Sequence, residues 1–183
     1  MRRRTNLFVL LAVVHIFTFV HCAWAEEPRT NDIKSLHGLT ELAVVVGKLS
    51  EDGKKINITN KDIQEIAELK LKMAGIKVLS REERLSTPGM PYIYLRISIK
   101  VTDDGFVYGS TKIQVEEEAC LSRKEMCGAF ITWDKGSLFS VGIDRANQLV
   151  KDSINQDMDI FLNDYSKANP RIQPVQPTPQ KVK

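Results

Sequence analysis

Two cysteines, Cys120 and Cys127, flank a short charged spacer in ACLSRKEMCGAF (residues 119–130). A pair like this can be a redox couple, part of a metal site, two free thiols or a disulfide. No C-x-x-C is present, so a redox couple lacks its usual spacing. A structural zinc ion needs four ligands, and beside these two cysteines the chain offers, past its N-terminal leader, only one distant histidine, His37, which cannot complete the set. Compartment decides between the remaining readings.

The N-terminus reads as a secretory signal. Arg2, Arg3 and Arg4 precede an apolar stretch from Leu7 to Val20, and Ala23-Trp24-Ala25 gives a small-x-small cleavage pattern after Ala25. The apolar run is about 14 residues, short of the roughly 20 that span a bilayer, so no permanent anchor is expected. Bulky His21 before Cys22 argues against lipidation there. Cleavage removes His15, His21 and Cys22, leaving His37, Cys120 and Cys127. It also removes three arginines and no acid, which balances 26 Lys+Arg against 23 Asp+Glu. The mature chain has no net basic field to draw nucleic acid. An exported chain with one even cysteine pair favours a disulfide.

The flanking sequence agrees. TKIQVEEEACL before Cys120 and GAFITWD after Cys127 read as strands. Paired as a hairpin with Arg123-Lys124 at the tip, they set Leu121 opposite Met126 and Cys120 opposite Cys127, within disulfide reach.

No catalytic or cofactor motif stands out. G-x-S-x-G, H-E-x-x-H, a P-loop and a dinucleotide fingerprint are all missing, so no catalytic residue, cofactor or metal is expected. A lone loop histidine such as His37 is usually solvated. Glu116-Glu117-Glu118, with Asp103-Asp104 nearby, invites a cation, but neighbouring strand carboxylates point to opposite faces. A hydrolase built on scattered carboxylates is the weakest reading. Asn57 in NIT would accept a glycan only in a eukaryotic secretory route.

The elements that would position these residues form one domain at 37–169. It follows the signal (1–25) and a polar lead-in (26–36), and a Pro-rich tail (170–183) ends the chain. LTELAVVVGKL reads as a buried strand and SEDGKKIN as a turn. ITNKDIQEIAELKLKMAGI is a helix capped by Thr59 or Asn60. Ile63, Ile66, Ala67, Leu69, Met73 and Ala74 form its stripe, and Gly75 stops it. IKVLS is a short strand and REERLSTPGMP a loop. YIYLRISIKV alternates strictly, with Ile93, Leu95, Ile97, Ile99 and Val101 on one side. FVYGSTKIQVEEEACL returns antiparallel, with a bulge near Glu116–Glu118. A turn is expected at Asp134-Lys135-Gly136, after which SLFSVGI extends a strand. The last helix, from an Asp144 cap to Asn169-Pro170, carries Ala146, Leu149, Val150, Ile154, Met158, Phe161, Leu162 and Tyr165. The fold class is α+β, β-α-β-β-β-β-α, a mostly antiparallel sheet with two helices on one face.

At LKLKMAGIKVLS, TPGMPYIYLRISI, ITWD and FLNDYSKANP the chain resembles a group of exported bacterial proteins of uncharacterised function, over roughly residues 36 to 170. The shared motifs are structural punctuation and imply no catalytic residue. The element order is also similar to small α+β domains of envelope-assembly factors, such as the lipopolysaccharide-transport lipoprotein and the amino-terminal domain of the Tol–Pal propeller protein. That likeness is one of fold, which does not set function.

Tyr92, Tyr94, Arg96 and Tyr108 share the sheet's outer face, and Tyr and Arg are enriched at binding hot spots. The expected role is a non-enzymatic periplasmic interaction or assembly module with an envelope protein as partner. Its oligomeric state is left open. The alternative is a periplasmic small-ligand binding protein with a pocket lined by Tyr92, Tyr94 and Trp133.

Overall fold

The computed structural model describes residues 30–123 and 126–170. The expected signal (1–25), the start of the lead-in (26–29), Lys124 and Glu125 of the hairpin tip, and tail residues 171–183 lie outside the described residues. In chain order the elements are α1 (Thr30–Ser35), β1 (Glu41–Val46), α2 (Glu51–Lys55), α3 (Asn60–Met73), β2 (Lys77–Leu79), α4 (Arg81–Ser86), β3 (Tyr92–Val101), β4 (Phe106–Leu121), β5 (Met126–Gly142) and α5 (Ile143–Ala168).

The fold is α+β, built on one mixed sheet in the order β2-β1-β3-β4-β5. β1 runs parallel to β2 and β3, and the much longer β3–β4 and β4–β5 ladders are antiparallel. The strand–helix–strand unit β1-α3-β2 is a crossover between parallel neighbours. α3 and α5 pack against each other; α3 lies on β1 and β2, α5 on β4 and β5.

The strict alternation of β3 survives intact: Ile93, Leu95, Ile97 and Ile99 are buried, while Arg96, Ser98 and Lys100 are exposed. Thr59 caps α3 in a reciprocal box with Asp62, which satisfies two backbone donors that a helix start leaves open. Gly75 takes φ +79°, the left-handed conformation that ends the helix at low cost.

Several local expectations give way to tertiary context. The lead-in is helical from Thr30, and Leu36 is fully buried. SEDGKKIN and REERLS each wind a short helix, the second with its own capping box, Ser80 with Glu83. Asp144 is not the cap of α5. Gly142 holds that position, and Asp144 sits in the first turn where its charge meets the helix dipole. No turn forms at Asp134–Gly136, because β5 runs through it paired to β4. The buried stripe of α3 is Ile63, Ala67 and Leu71; Leu69 and Met73 point outward, Met73 being 76% exposed.

The bulge expected in β4 exists, but its extra residue belongs to β5. Val115 pairs Trp133 and Glu116 pairs Ile131, so Thr132 is left over. Ser35 of α1 donates to the Thr132 carbonyl (2.8 Å), which satisfies a group the bulge removed from the ladder.

The core lies between the sheet, where β3 gives it Ile93, Leu95, Ile97 and Ile99, and the helices α3 and α5. Trp133 meets Phe161 of α5 edge to face, with ring centroids 5.2 Å apart. Its indole N–H donates to Asp164 (3.3 Å). Next to it Asp157, with no exposed surface, accepts from the hydroxyls of Thr111 and Ser137, which are directly paired across β4 and β5.

β3 pairing begins at Tyr92–Glu116, so beyond Glu116 the β4–β5 hairpin projects as a two-stranded arm. A ribbon of this kind is marginal alone in water. Cys120 and Cys127 pair directly and are disulfide-bonded across it. Closing so short a ring stabilises by about 2.5 kcal/mol on a chain-entropy estimate.

Two measurements follow. Protein exported, unfolded and left unreduced should titrate no thiol at Cys120 or Cys127, and Cys120→Ser/Cys127→Ser should speed amide exchange in the arm while β3 stays protected. Asp157→Ala should lower unfolding free energy by about 2 kcal/mol in urea, since the buried Thr111 hydroxyl and the half-buried Ser137 hydroxyl lose their acceptor. Thr111→Val/Ser137→Ala/Asp157→Leu should recover much of that loss, because no polar group is then stranded.

Candidate interaction surface

Cross-strand register fixes which side chains share the outer face. One row runs Val45–Tyr94–Gln114–Asp134, the next Arg96–Lys112–Gly136, then Ser98–Ser110–Leu138 and Lys100–Tyr108–Ser140. Tyr92, Tyr94, Arg96 and Tyr108 therefore do lie on one face, but their surroundings differ.

Tyr92 is built into the structure. Arg84 of α4 stacks on its ring, with the guanidinium 4.1 Å from the centroid. Arg84 also donates to the Met90 carbonyl (3.1 Å), and Glu118 N–H donates to Gly89 O (2.7 Å), which stitches the Thr87–Pro91 loop to the arm. The Tyr92 hydroxyl donates to Glu116, its cross-strand partner. Burial, then the hydrogen bond to Glu116 and its negative charge, push the Tyr92 phenol up to about 12.

Tyr94 is half-buried over Gly47. A Cβ at Gly47 would stand 2.7 Å from the Tyr94 hydroxyl, so the close approach needs glycine. Arg96 sits above the Tyr94 ring at 5.5 Å and is otherwise exposed. Tyr108 stands free on the far side, 50% exposed, with Phe106 beside it on β4.

Sequence reasoning missed the largest apolar feature of this face. Leu138 is 88% exposed on β5, and Ile131, on the same face beyond the bulge, is 54% exposed. The expected turn at Asp134–Gly136 hid Leu138 from view. Without it, β5 reads as one continuous strand whose even positions after the bulge face outward. Lys112 and Asp134 form an ion pair (3.2 Å) beside this patch.

The pocket expected between Tyr92, Tyr94 and Trp133 does not exist. Trp133 is buried on the helix-covered face, while both tyrosines lie on the other side of the sheet. A cleft of about 330 Å³ does open where the loop after α1 meets the start of β1 and the Thr87–Pro91 loop. His37 and Glu117 line it. His37 Nδ1 carries the proton given to the Ala168 carbonyl (2.9 Å), and Asn169 is bonded to both Gly38 N–H and Leu36 O, so this histidine clamps the end of α5. Glu117 accepts from the bulge residue Thr132 (3.1 Å). Asn57 has φ 55°, a left-handed conformation asparagine tolerates, which gives it a backbone role. Among the described residues no three His, Cys, Asp or Glu side chains converge to hold a metal, and no helix is long and apolar enough to cross a membrane.

No family model matches the chain, and no curated protein matches it. Among solved structures, a minor lipoprotein from Acinetobacter baumannii superposes with a TM-score of 0.39 at 11% identity, over 75% of this chain and 99% of that one. PelC from Paraburkholderia phytofirmans, solved as a dodecamer, superposes with a TM-score of 0.43 at 11% identity, over 70% of this chain and 89% of that one. Likenesses this distant leave function to be argued from this chain's own surface.

The Tyr92 environment predicts a pH effect whose sign is fixed. The folded phenol is raised above its free value of 10.0, so the fold favours the neutral form. That stability is complete below pH 10 and drains away as pH rises toward about 12. Of the four tyrosines, one should ionise late in an ultraviolet titration and should vanish from the curve in Tyr92→Phe. Tyr92→Phe should also flatten the loss of stability over that pH interval.

Proposed function

We propose that the chain is a non-enzymatic module of the bacterial envelope that holds another envelope protein against the open outer face of its sheet. The observation that carries this reading is the exposure of Phe106, Tyr108 and Leu138, which neighbour one another on that face. A strand face in a lone soluble domain would place polar groups there, and clustered exposed apolar side chains mark contact sites. Arg96 and Lys112 rim the patch, as polar rims surround apolar contact centres.

Two further features support the reading. The Cys120–Cys127 disulfide belongs in an oxidising compartment, which suits export by the leader expected at 1–25. The side chains best suited to acid–base work are occupied structurally: His37 by Ala168, Asp157 by Thr111 and Ser137, Glu116 by Tyr92.

A photo-crosslinking residue at Tyr108, in the cell, should trap one and the same envelope protein in comparable amount. The same residue at Lys61, an exposed position on α3, should not. Tyr108→Ala should cut recovery of that protein about tenfold with an unchanged urea midpoint, the size of a moderate hot spot. Equal adducts from both positions, or none from Tyr108, would refute the reading.

A further inference from the structure

β5 is the edge of the sheet, and its outer edge is open over a stretch with no charge: Gly136 to Gly142, GSLFSVG. The direction of its backbone groups follows from two bonds. Thr102 N–H donates to Phe106 O (2.9 Å), so even-numbered β4 residues bond toward β3 and odd-numbered ones toward β5. Ile143 N–H donates to Gly105 O (3.0 Å), which continues the same alternation on β5. Gly136, Leu138 and Ser140 therefore aim both N–H and C=O away from β4, and no described residue bonds to them there. Nearer the arm the edge is guarded, by the Thr132 bulge and by Ser35. Natural edges carry charge, proline or a cover against pairing, and from Gly136 onward this one has none.

We propose that the partner at this edge is a second copy of the chain, its β5 antiparallel to the first, with a two-fold axis at Leu138. The two sheets become one, with both outer faces on the same side. The proposal rests on the outer face being a contact surface and names its edge partner. The strand is self-complementary in this register. Leu138 meets Leu138 of the second copy, small Gly136 meets small Ser140, and compact Ser137 meets bulky Phe139. Asp134 falls opposite Gly142 and Lys135 opposite Val141, so no like charges face each other. Both Leu138 side chains leave water together, which explains an apolar residue at the most exposed point of the face. The chain's own tail, RIQPVQPTPQKVK, is a poor rival, because its prolines at 174, 177 and 179 cannot donate to a ladder. A single strand pair is a small interface, so the association belongs at the weak end of specific contacts, roughly micromolar.

The test uses the full chain, exported and purified under non-reducing conditions. Sedimentation across roughly 1–500 μM should show wild type shifting from monomer to dimer, with a midpoint in the micromolar range. Leu138→Lys should remain monomeric at every concentration with an unchanged urea midpoint. Leu138→Cys should form an intermolecular disulfide in most of the protein. Ser140→Cys, equally exposed but off the axis, should form at least tenfold less. A monomeric wild type with no Leu138→Cys crosslink overturns the proposal. Preferential crosslinking through Ser140→Cys, or Leu138→Cys captured only by a different protein, overturns it too. None of these results touches the Tyr108 adduct, so the dimer can fail while the interaction module stands.

Discussion

A carboxylate with no exposed surface fixes where the last helix lies. Asp157 accepts hydrogen bonds from the hydroxyls of Thr111 and Ser137, which are directly opposed on β4 and β5. A slide of α5 along its axis, or a register slip between the strands, would strand the carboxylate in an apolar interior at a cost of several kcal/mol. Apolar packing alone tolerates such slides, because hydrophobic contact is not directional. The Trp133–Phe161 contact and the Trp133–Asp164 bond then hold the same helix further toward the bulge. The ends of α5 follow: its start continues from β5, and its last turn is clamped by His37 and Asn169.

With α5 and α3 committed to one face, the other is left to solvent except where α4 reaches over Tyr92. This divides the outer face in two. The end near Tyr92 is a closed structural joint of Arg84, Tyr92, Glu116 and the Met90 loop. The end near Tyr108 and Leu138 carries apolar area with no described element over it. The bulge lies between the sheet and the arm and changes which residues face outward. Before Thr132 the odd positions of β5 point out, and after it the even ones do. Ile131 and Leu138 are on the same face only because of that one extra residue.

Much of the fold was legible because its signals are local. The alternation of β3, the Thr59–Asp62 cap, the left-handed Gly75 and the Cys120–Cys127 register each depend on a few neighbouring residues. What stayed hidden was set by distant contacts. Asp134-Lys135-Gly136 has turn chemistry, but Gly136 lies where a Cβ would stand 2.6 Å from the Thr111 carbonyl. That glycine serves a close strand approach rather than a turn. Leu69 and Met73 fit an apolar stripe on α3 by type and spacing alone, whereas the fold buries Leu71. Asp157 and Ser153 looked like solvent positions on an amphipathic helix; only the strands beneath reveal them as buried. On the outer face, Tyr92, Tyr94, Arg96 and Tyr108 were placed correctly together, but burial under Arg84 and against Gly47 could not be read from alternation.

A long two-stranded hairpin at the rim of a sheet is a liability unless both its tip and its edge are controlled. Here the controls differ along its length. The arm beyond Glu116 is held covalently by Cys120 and Cys127, a bond that persists under oxidising conditions. The middle is held by α1 and the bulge. The stretch from Gly136 to Gly142 has neither, although a lysine at position 138 would have guarded it at little cost to the core, since Leu138 is 88% exposed and lies outside the buried cluster. Where β3 outruns its β1 partner, by contrast, Ser50 donates to the Ile99 carbonyl and Asp52 accepts from Val101 N–H, so that edge is covered. An unguarded apolar residue at the centre of an open edge is therefore best understood by what it faces once the edge is paired.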